Sequence, residues 1–180
     1  SLGGAPAGKH GCMYHGFMAV GNIVNIGKPL RVEFSYPPSS VNGEFTWGTA
    51  DKPYIDADTG LPNGSFAWYD IPAGSSEEIT RLSYLNGTLV VHCTRSVWVI
   101  SGVPGEGVEI VKILDVGCVE SETVQVIEQP GQKGYVYWLG SDGLPKRTDG
   151  TMHMVENVGA YTEDGRSPVE KTMRKYMTAV

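Results

Sequence analysis

The sequence lacks three features that would each assign it to a functional class. It has no run of about 18 apolar residues, so no helix is predicted to span a membrane. It is poor in basic residues, with 14 Lys and Arg against 20 Asp and Glu and a net charge of −6, which excludes a generally basic nucleic-acid binder. It has only three cysteines, Cys12, Cys93 and Cys118, and this odd, dispersed set argues for free thiols in a reducing compartment rather than a disulfide framework.

Catalytic and cofactor motifs are also missing. The sequence contains no G-x-S-x-G elbow, no Walker-type phosphate loop and no H-E-x-x-H helix. The pair Gly105-Glu106-Gly107 lacks the third glycine of a dinucleotide fingerprint. We therefore predict no catalytic residue, no cofactor-binding residue and no enzymatic activity.

One group of residues is a candidate for metal binding, namely His10, Cys12 and His15. Imidazole and thiolate suit zinc, but a structural zinc site needs four ligands in compact pairs. The adjacent His92 and Cys93 would point to opposite faces of a strand and so would not complete the set. Residues 56–60 begin like a calcium loop but lack its later bidentate Glu. Buried thiols, strand histidines and a polar turn are the favoured interpretation, and no metal site is assigned.

Glycine and proline are abundant, with 24 and 11 residues, which favours a turn-rich β protein over a helical bundle. Alternation of apolar and polar residues predicts an all-β fold of short antiparallel meanders. Asn86-Gly87 supplies a type I′ turn within a three-strand meander over residues 79–102. The predicted strands are 12–20, 30–35, 79–85, 88–93, 97–102, 108–116, 122–127 and 134–139.

The sequence divides into three predicted regions. Residues 1–9 are rich in Gly and Ala and are expected to be a flexible N-terminal segment or the end of a truncated chain. Residues 10–165 form the β domain, with an irregular insertion at about 36–64. Residues 166–180 are predicted to form a short amphipathic α-helix, because a capping box with Pro168 precedes one apolar stripe. That stripe is Val169, Met173, Tyr176, Met177 and Val180.

A weak internal repeat suggests the kind of β architecture. Glycine-led apolar segments begin at Gly16, Gly87 and Gly134, the last two 47 residues apart, and the longer first interval contains the insertion. A period of about 40 to 50 residues with several strands per unit is typical of a β-propeller blade. The chain would hold about three to four blades where propellers have about four to eight, which predicts an incomplete ring.

The same segments resemble a known family. The resemblance lies in Ile79-Thr80-x-Leu82, Asn86-Gly87-x-Leu89-Val90-Val91 and Arg95 to Gly102, continued by Gly134 to Leu144 and Asp149-Gly150. These motifs resemble the β-propeller-type, nozzle-like structural proteins of bacteriophage tails, and the resemblance extends over most of residues 10–160.

The resemblance implies a structural component of a virion tail, present in the host cytoplasm during assembly. It implies a homo-oligomer that also contacts other tail proteins, through which DNA passes without sequence-specific binding, and it carries no catalytic residues. The acidic balance is compatible with such a conduit, since anionic walls repel phosphate.

Two alternatives belong to other functional classes. The first is a carbohydrate-binding or carbohydrate-cleaving propeller of the host-recognition apparatus, and the second is a generic protein-binding scaffold. Aromatic rings can stack on sugars, but packing in the core or an interface is the favoured role of these rings. Glycosidases need two carboxylates that face each other across a cleft. The candidate rings are Trp47, Trp68, Tyr69 and Trp138, and the candidate carboxylates are Asp56, Asp58, Asp70, Glu77, Glu78, Glu120 and Glu122.

Overall fold

The computed structural model describes residues 6–38, 45, 47, 54–55, 62–63, 66–128, 131, 133–151 and 155–157. The chain first forms a four-stranded antiparallel sheet, here the N-terminal sheet. Its strands are β1 (Gly8–Tyr14), β2 (Phe17–Ile23), β3 (Lys28–Phe34) and, after a separate hairpin of β4 (Tyr54–Ile55) and β5 (Pro62–Asn63), β6 (Ala67–Asp70).

Two more four-stranded antiparallel sheets follow along the chain. The central sheet consists of β7 (Ile79–Leu85), β8 (Thr88–Cys93), β9 (Val97–Val103) and β10 (Gly107–Leu114). A 3-10 turn at Ser121–Thr123 leads into the C-terminal sheet of β11 (Gln125–Ile127), β12 (Tyr135–Leu139), β13 (Pro145–Thr148) and β14 (Val155–Asn157). Apart from the inserted β4–β5 hairpin, hydrogen-bonded neighbours are consecutive in the sequence, so each sheet is a meander.

The central sheet is covered by a neighbouring sheet on each face. Successive side chains of a strand point to opposite sides, so alternate residues pack against different neighbours. On β8, Leu89 and Val91 pack toward the N-terminal sheet, whereas Val90 packs toward the C-terminal sheet. We call these two contacts the first junction and the second junction. The buried core of the first junction is Tyr14, Phe17, Ala19, Val32, Phe34, Ile71, Ile79, Leu82, Leu89, Val91, Cys93, Trp98 and Ile100. The buried core of the second is Leu85, Val90, Val97, Val99, Cys118, Val124, Val136 and Trp138.

Two hairpins use the same turn geometry. His15 and Gly16 join β1 to β2 with φ angles of 47° and 82°, and Asn86 and Gly87 join β7 to β8 with φ angles of 50° and 81°. Positive φ at both central residues is the type I′ pattern, whose twist matches that of the flanking strands. The two turns therefore fix the register of the first hairpin in each of these sheets.

The all-β class and the antiparallel meanders are confirmed. The predicted strands 30–35, 79–85, 88–93, 97–102, 108–116 and 134–139 correspond to β3, β7, β8, β9, β10 and β12. The single strand predicted at 12–20 is wrong, because the His15-Gly16 turn divides it into the β1–β2 hairpin. Of residues 122–127, the first two belong to the 3-10 turn and the last three form β11. The short strands β6, β13 and β14 were not predicted.

Among the described residues the three sheets are open and none closes on itself. The first strand, β1, begins at Gly8, inside the N-terminal segment predicted at 1–9. Most of the predicted insertion at 36–64, and all of the helix predicted at 166–180, lie outside the described residues. Within the part of the chain that is described, no helix is long and apolar enough to cross a membrane.

Candidate functional site

The three candidate metal ligands lie close in sequence on β1 and its turn. His10 and Cys12 lie on one face of β1, and burial, followed by the charge of Arg81, lowers the pKa of His10. Burial raises the pKa of the Cys12 thiol to about 12, and a thiol that keeps its proton is a poor metal ligand. His15 is exposed in the turn, where its Nε2 lies 3.0 Å from the carbonyl oxygen of Gly87. Within the described ranges no three His, Cys, Asp or Glu side chains are grouped to hold a metal ion.

His92 and Cys93 point to opposite faces of β8, as the sequence predicted. Cys93 belongs to the core of the first junction, and burial raises the pKa of its thiol to about 12. The His92 ring packs against Trp138 of the C-terminal sheet, with ring centroids 5.0 Å apart. The two residues therefore belong to different junctions and do not form one site.

A small polar pocket lies where the first strands of the N-terminal and central sheets meet. Its volume is about 130 Å³, and it is lined by Lys9, His10, Asn22, Glu78, Ile79, Thr80, Val119 and Ser121. Asn22 is buried with a φ of 59°, a conformation that Asn tolerates better than most residues. Its Nδ2 donates to Glu78 Oε2 at 2.9 Å and to the Ile79 carbonyl at 3.0 Å.

The charges of this pocket are paired with one another. Lys9 Nζ lies 2.9 Å from Glu78 Oε2, and hydrogen bonds from Lys9 and Asn22 lower the pKa of the Glu78 carboxyl. A carboxylate engaged in this way is a weak base. Ser121 and His10 also line the pocket, but no hydrogen bond joins the Ser121 hydroxyl to His10 or Glu78 in the described structure. Lys9, Asn22 and Glu78 join β1 and β2 to the start of β7 and thus have a structural role.

An ion pair between a buried arginine and a partly exposed aspartate lies on the other face of the N-terminal sheet. Arg31 is fully buried, and its Nε and Nη2 donate to the two carboxylate oxygens of Asp70 at 2.8 and 3.0 Å. The guanidinium carbon lies 3.7 Å from the centroid of the Trp68 ring. A bidentate pair stacked on an indole is a strong and geometrically specific contact, and it couples β3 to the edge strand β6.

The aromatic residues proposed for sugar stacking are largely engaged within the protein. Trp47 and Trp138 are buried, at 6% and 2% exposure, and Trp68 carries the Arg31 guanidinium over its ring. Tyr69 is half-buried, and its hydroxyl accepts a hydrogen bond from the Gly105 amide at 3.2 Å. These positions agree with the packing role that the sequence favoured.

Most of the described candidate carboxylates also have partners inside the protein, Glu120 being the exception. Asp70 pairs with Arg31 and Glu78 with Lys9, while Glu77 Oε2 accepts from the Ser96 hydroxyl at 2.7 Å. Hydrogen bonds from the backbone of Glu122 itself and from the Ser121 side chain lower the pKa of the Glu122 carboxyl. Asp56 and Asp58 lie outside the described residues. The contacts of Asp70, Glu77 and Glu78 favour a structural role for these three carboxylates.

Contacts between turns are the feature that the sequence did not predict. Because the Gly87 carbonyl can only accept, His15 Nε2 donates to it across the first junction. Across the second junction, Asn86 Nδ2 donates to the Asp149 carbonyl at 2.9 Å and Thr88 Oγ1 to the Gly150 carbonyl at 3.0 Å. The repeated glycine was the sequence signal that could have indicated these turn contacts, because His15 and Asn86 each stand immediately before it.

Comparison with protein-family models gives no match to this chain. Comparison with curated proteins gives no significant match either.

Proposed function

We propose that this chain is a propeller-type structural protein that acts through contacts between subunits, in an assembly such as the bacteriophage tail that its motifs resemble. The observation that carries the proposal is the stacking of three four-stranded meanders in chain order. The central sheet is buried on both faces by its neighbours. Meanders packed face against face in this way are the building pattern of propeller blades.

The turns add support for a repeated packing unit. The residue before the repeated glycine makes a contact with the next sheet in both cases, His15 with the central sheet and Asn86 with the C-terminal sheet. The first strands β1 and β7 lie beside each other without hydrogen-bonded pairing, as the inner strands of neighbouring blades do. Each sheet is thus attached to the next through corresponding positions.

A ring of blades needs more sheets than these three, since propellers have about four to eight. In this proposal, neighbouring copies of the chain supply the remaining sheets, and other tail proteins bind the assembled ring. The face of β12 that points away from the second junction carries the half-buried Tyr135 and Tyr137 and is the surface that a further sheet would cover. The net charge of −6 would let DNA pass such an assembly without adhering.

The proposal is tested by the oligomeric state of the purified chain. We expect light scattering after gel filtration and negative-stain electron microscopy to show ring-shaped oligomers. Tyr137→Glu, which places a charge on the uncovered face of β12, should dissociate them, whereas Glu109→Gln on the exposed surface of β10 should leave them intact.

A monomer at the highest soluble concentration, with no ring in the micrographs, would overturn the proposal. Binding on a glycan array that is lost in Trp68→Ala would favour the carbohydrate alternative instead. Retention of duplex DNA in a gel-shift assay at physiological salt would contradict passage without adhesion.

A further inference from the structure

His92 is a fully buried titratable group placed between two sheets. It lies on β8 with 0% exposure, on the face directed at the C-terminal sheet. Neither ring nitrogen has a hydrogen-bond partner among the described residues. Buried polar atoms are normally paired, so an imidazole without partners needs an explanation.

Among the described residues, no hydrogen-bond acceptor is positioned to take a proton from the ring. Trp138 on β12 meets it edge to face at an interplanar angle of 71°, and the Trp138 Nε1 is itself buried without a partner in the described structure. Val97 on β9 stands opposite His92 in register and is apolar. The hydroxyl of Thr80 is directed to the Cys118 carbonyl at 2.7 Å.

The charge of Arg81 also disfavours protonation of His92. Arg81 on β7 is the residue across from His92 in register, and its positive charge opposes a second one. On β13, Lys146 stands across from Trp138 and is paired with Asp142 at 2.8 Å. The thiol of Cys118, on the loop that follows the central sheet, is held neutral because burial raises its pKa.

We propose that the second junction is an acid-labile contact, in which protonation of His92 drives the imidazole out of the core and separates the C-terminal sheet from the central sheet. The first junction should respond less, because its described histidines, His10 and His15, lie at its edge, half-buried and exposed, rather than in its core. The buried Tyr14 of this junction donates its hydroxyl hydrogen to the Gly102 carbonyl at 2.6 Å. A histidine between packed elements is a common device for coupling pH to a contact.

The direction of the pH effect follows from the titration of His92. Burial, with a smaller contribution from Arg81, lowers its pKa from 6.5 to about 3. Between these two values the separated state binds more protons than the packed state, so the packed state loses stability as the pH falls below 6.5. At pH 4.5 the opening equilibrium should be roughly 100-fold more favourable than at neutral pH from this group alone.

Hydrogen exchange followed by mass spectrometry at pH 7.5 and pH 4.5, corrected for intrinsic rates, tests the proposal on the full chain. We expect peptides of β12 and β13 to lose protection at pH 4.5 by roughly two orders of magnitude, while peptides of β2 and β3 change little. His92→Leu should remove most of this pH response. His15→Gln, in an exposed turn, is the matched control and should keep it.

Equal acid sensitivity in His92→Leu and the wild type would overturn the proposal, as would unchanged protection of β12 in the wild type. Should His92→Leu fail to fold, NMR of ring-labelled histidine in the wild type still decides. A His92 signal that titrates near pH 6.5 while β12 remains protected contradicts the proposal, and a signal that stays neutral until β12 opens supports it.

Discussion

The two faces of the central sheet meet different surroundings, although alternate residues of the same strand supply both. On the side of the first junction, Val91 packs among aromatic and aliphatic residues of the N-terminal sheet. On the side of the second junction, Val90 shares a smaller apolar core with His92 close to Trp138. The comparison shows that one strand places apolar side chains in the core of one junction and, on its other face, a buried histidine without a hydrogen-bond partner among the described residues.

Removing one tryptophan from each junction tests the comparison most strongly. Trp98→Ala in the first junction and Trp138→Ala in the second should each lower the free energy of unfolding by about 3 to 5 kcal/mol, measured by urea denaturation. Trp98→Ala should cost more, because Trp98 Nε1 also donates to the Ser96 hydroxyl at 2.8 Å.

Hydrogen exchange locates the damage from each tryptophan variant. We expect Trp138→Ala to expose β11 to β13 while β1 to β3 stay protected, and Trp98→Ala to weaken both the N-terminal and the central sheets. If Trp138→Ala exposes all three sheets equally, the two junctions unfold as one cooperative unit and the distinction between them is wrong.

A matched pair of smaller changes compares the two faces within one strand. Val91→Ala and Val90→Ala remove the same two methyl groups from neighbouring, fully buried positions. Each should cost about 2 kcal/mol at neutral pH by thermal or chemical denaturation. Val91→Ala should be the more damaging, since the larger core around it has less freedom to relax, and the reverse order would contradict our description of the junctions.

The turn contacts give the smallest expected effect. Asn86→Gly keeps the positive φ without strain but removes the side-chain hydrogen bond to Asp149, and we expect a loss of about 1 kcal/mol in the free energy of unfolding. His15→Gly, at an exposed turn with one hydrogen bond, should cost about 0.5 kcal/mol or less. A greater cost for His15→Gly would show that the turn contact of the first junction is the stronger one.

The meander over residues 79–102 could be predicted because local signals agree there. Apolar alternation marks β7, β8 and β9, and Asn86-Gly87 is a strong type I′ turn signal. His15-Gly16 adopts the same turn, but histidine is an uncommon first residue for it, and the flanking apolar residues therefore gave the pattern of one long strand. β13 escaped prediction because it is short and carries Lys146 and Arg147.

The side-chain sites were less accessible to sequence analysis. The opposite directions of His92 and Cys93 follow from strand geometry alone and were predicted. The contact of Asn22 with Glu78 joins residues 56 apart in the sequence, and the burial of His92 against Trp138 depends on how two sheets pack. No local pattern reports such contacts, because they arise only when separate sheets meet.

The order of the sheets along the chain has a consequence for folding. Within the described residues every ladder except β3–β6, which spans the insertion, joins consecutive strands, and each later sheet packs against the one that precedes it in the sequence. Local pairing keeps the entropy cost of loop closure low and favours rapid folding. During synthesis the N-terminal sheet emerges first, so each completed sheet can serve as the template on which the next one condenses.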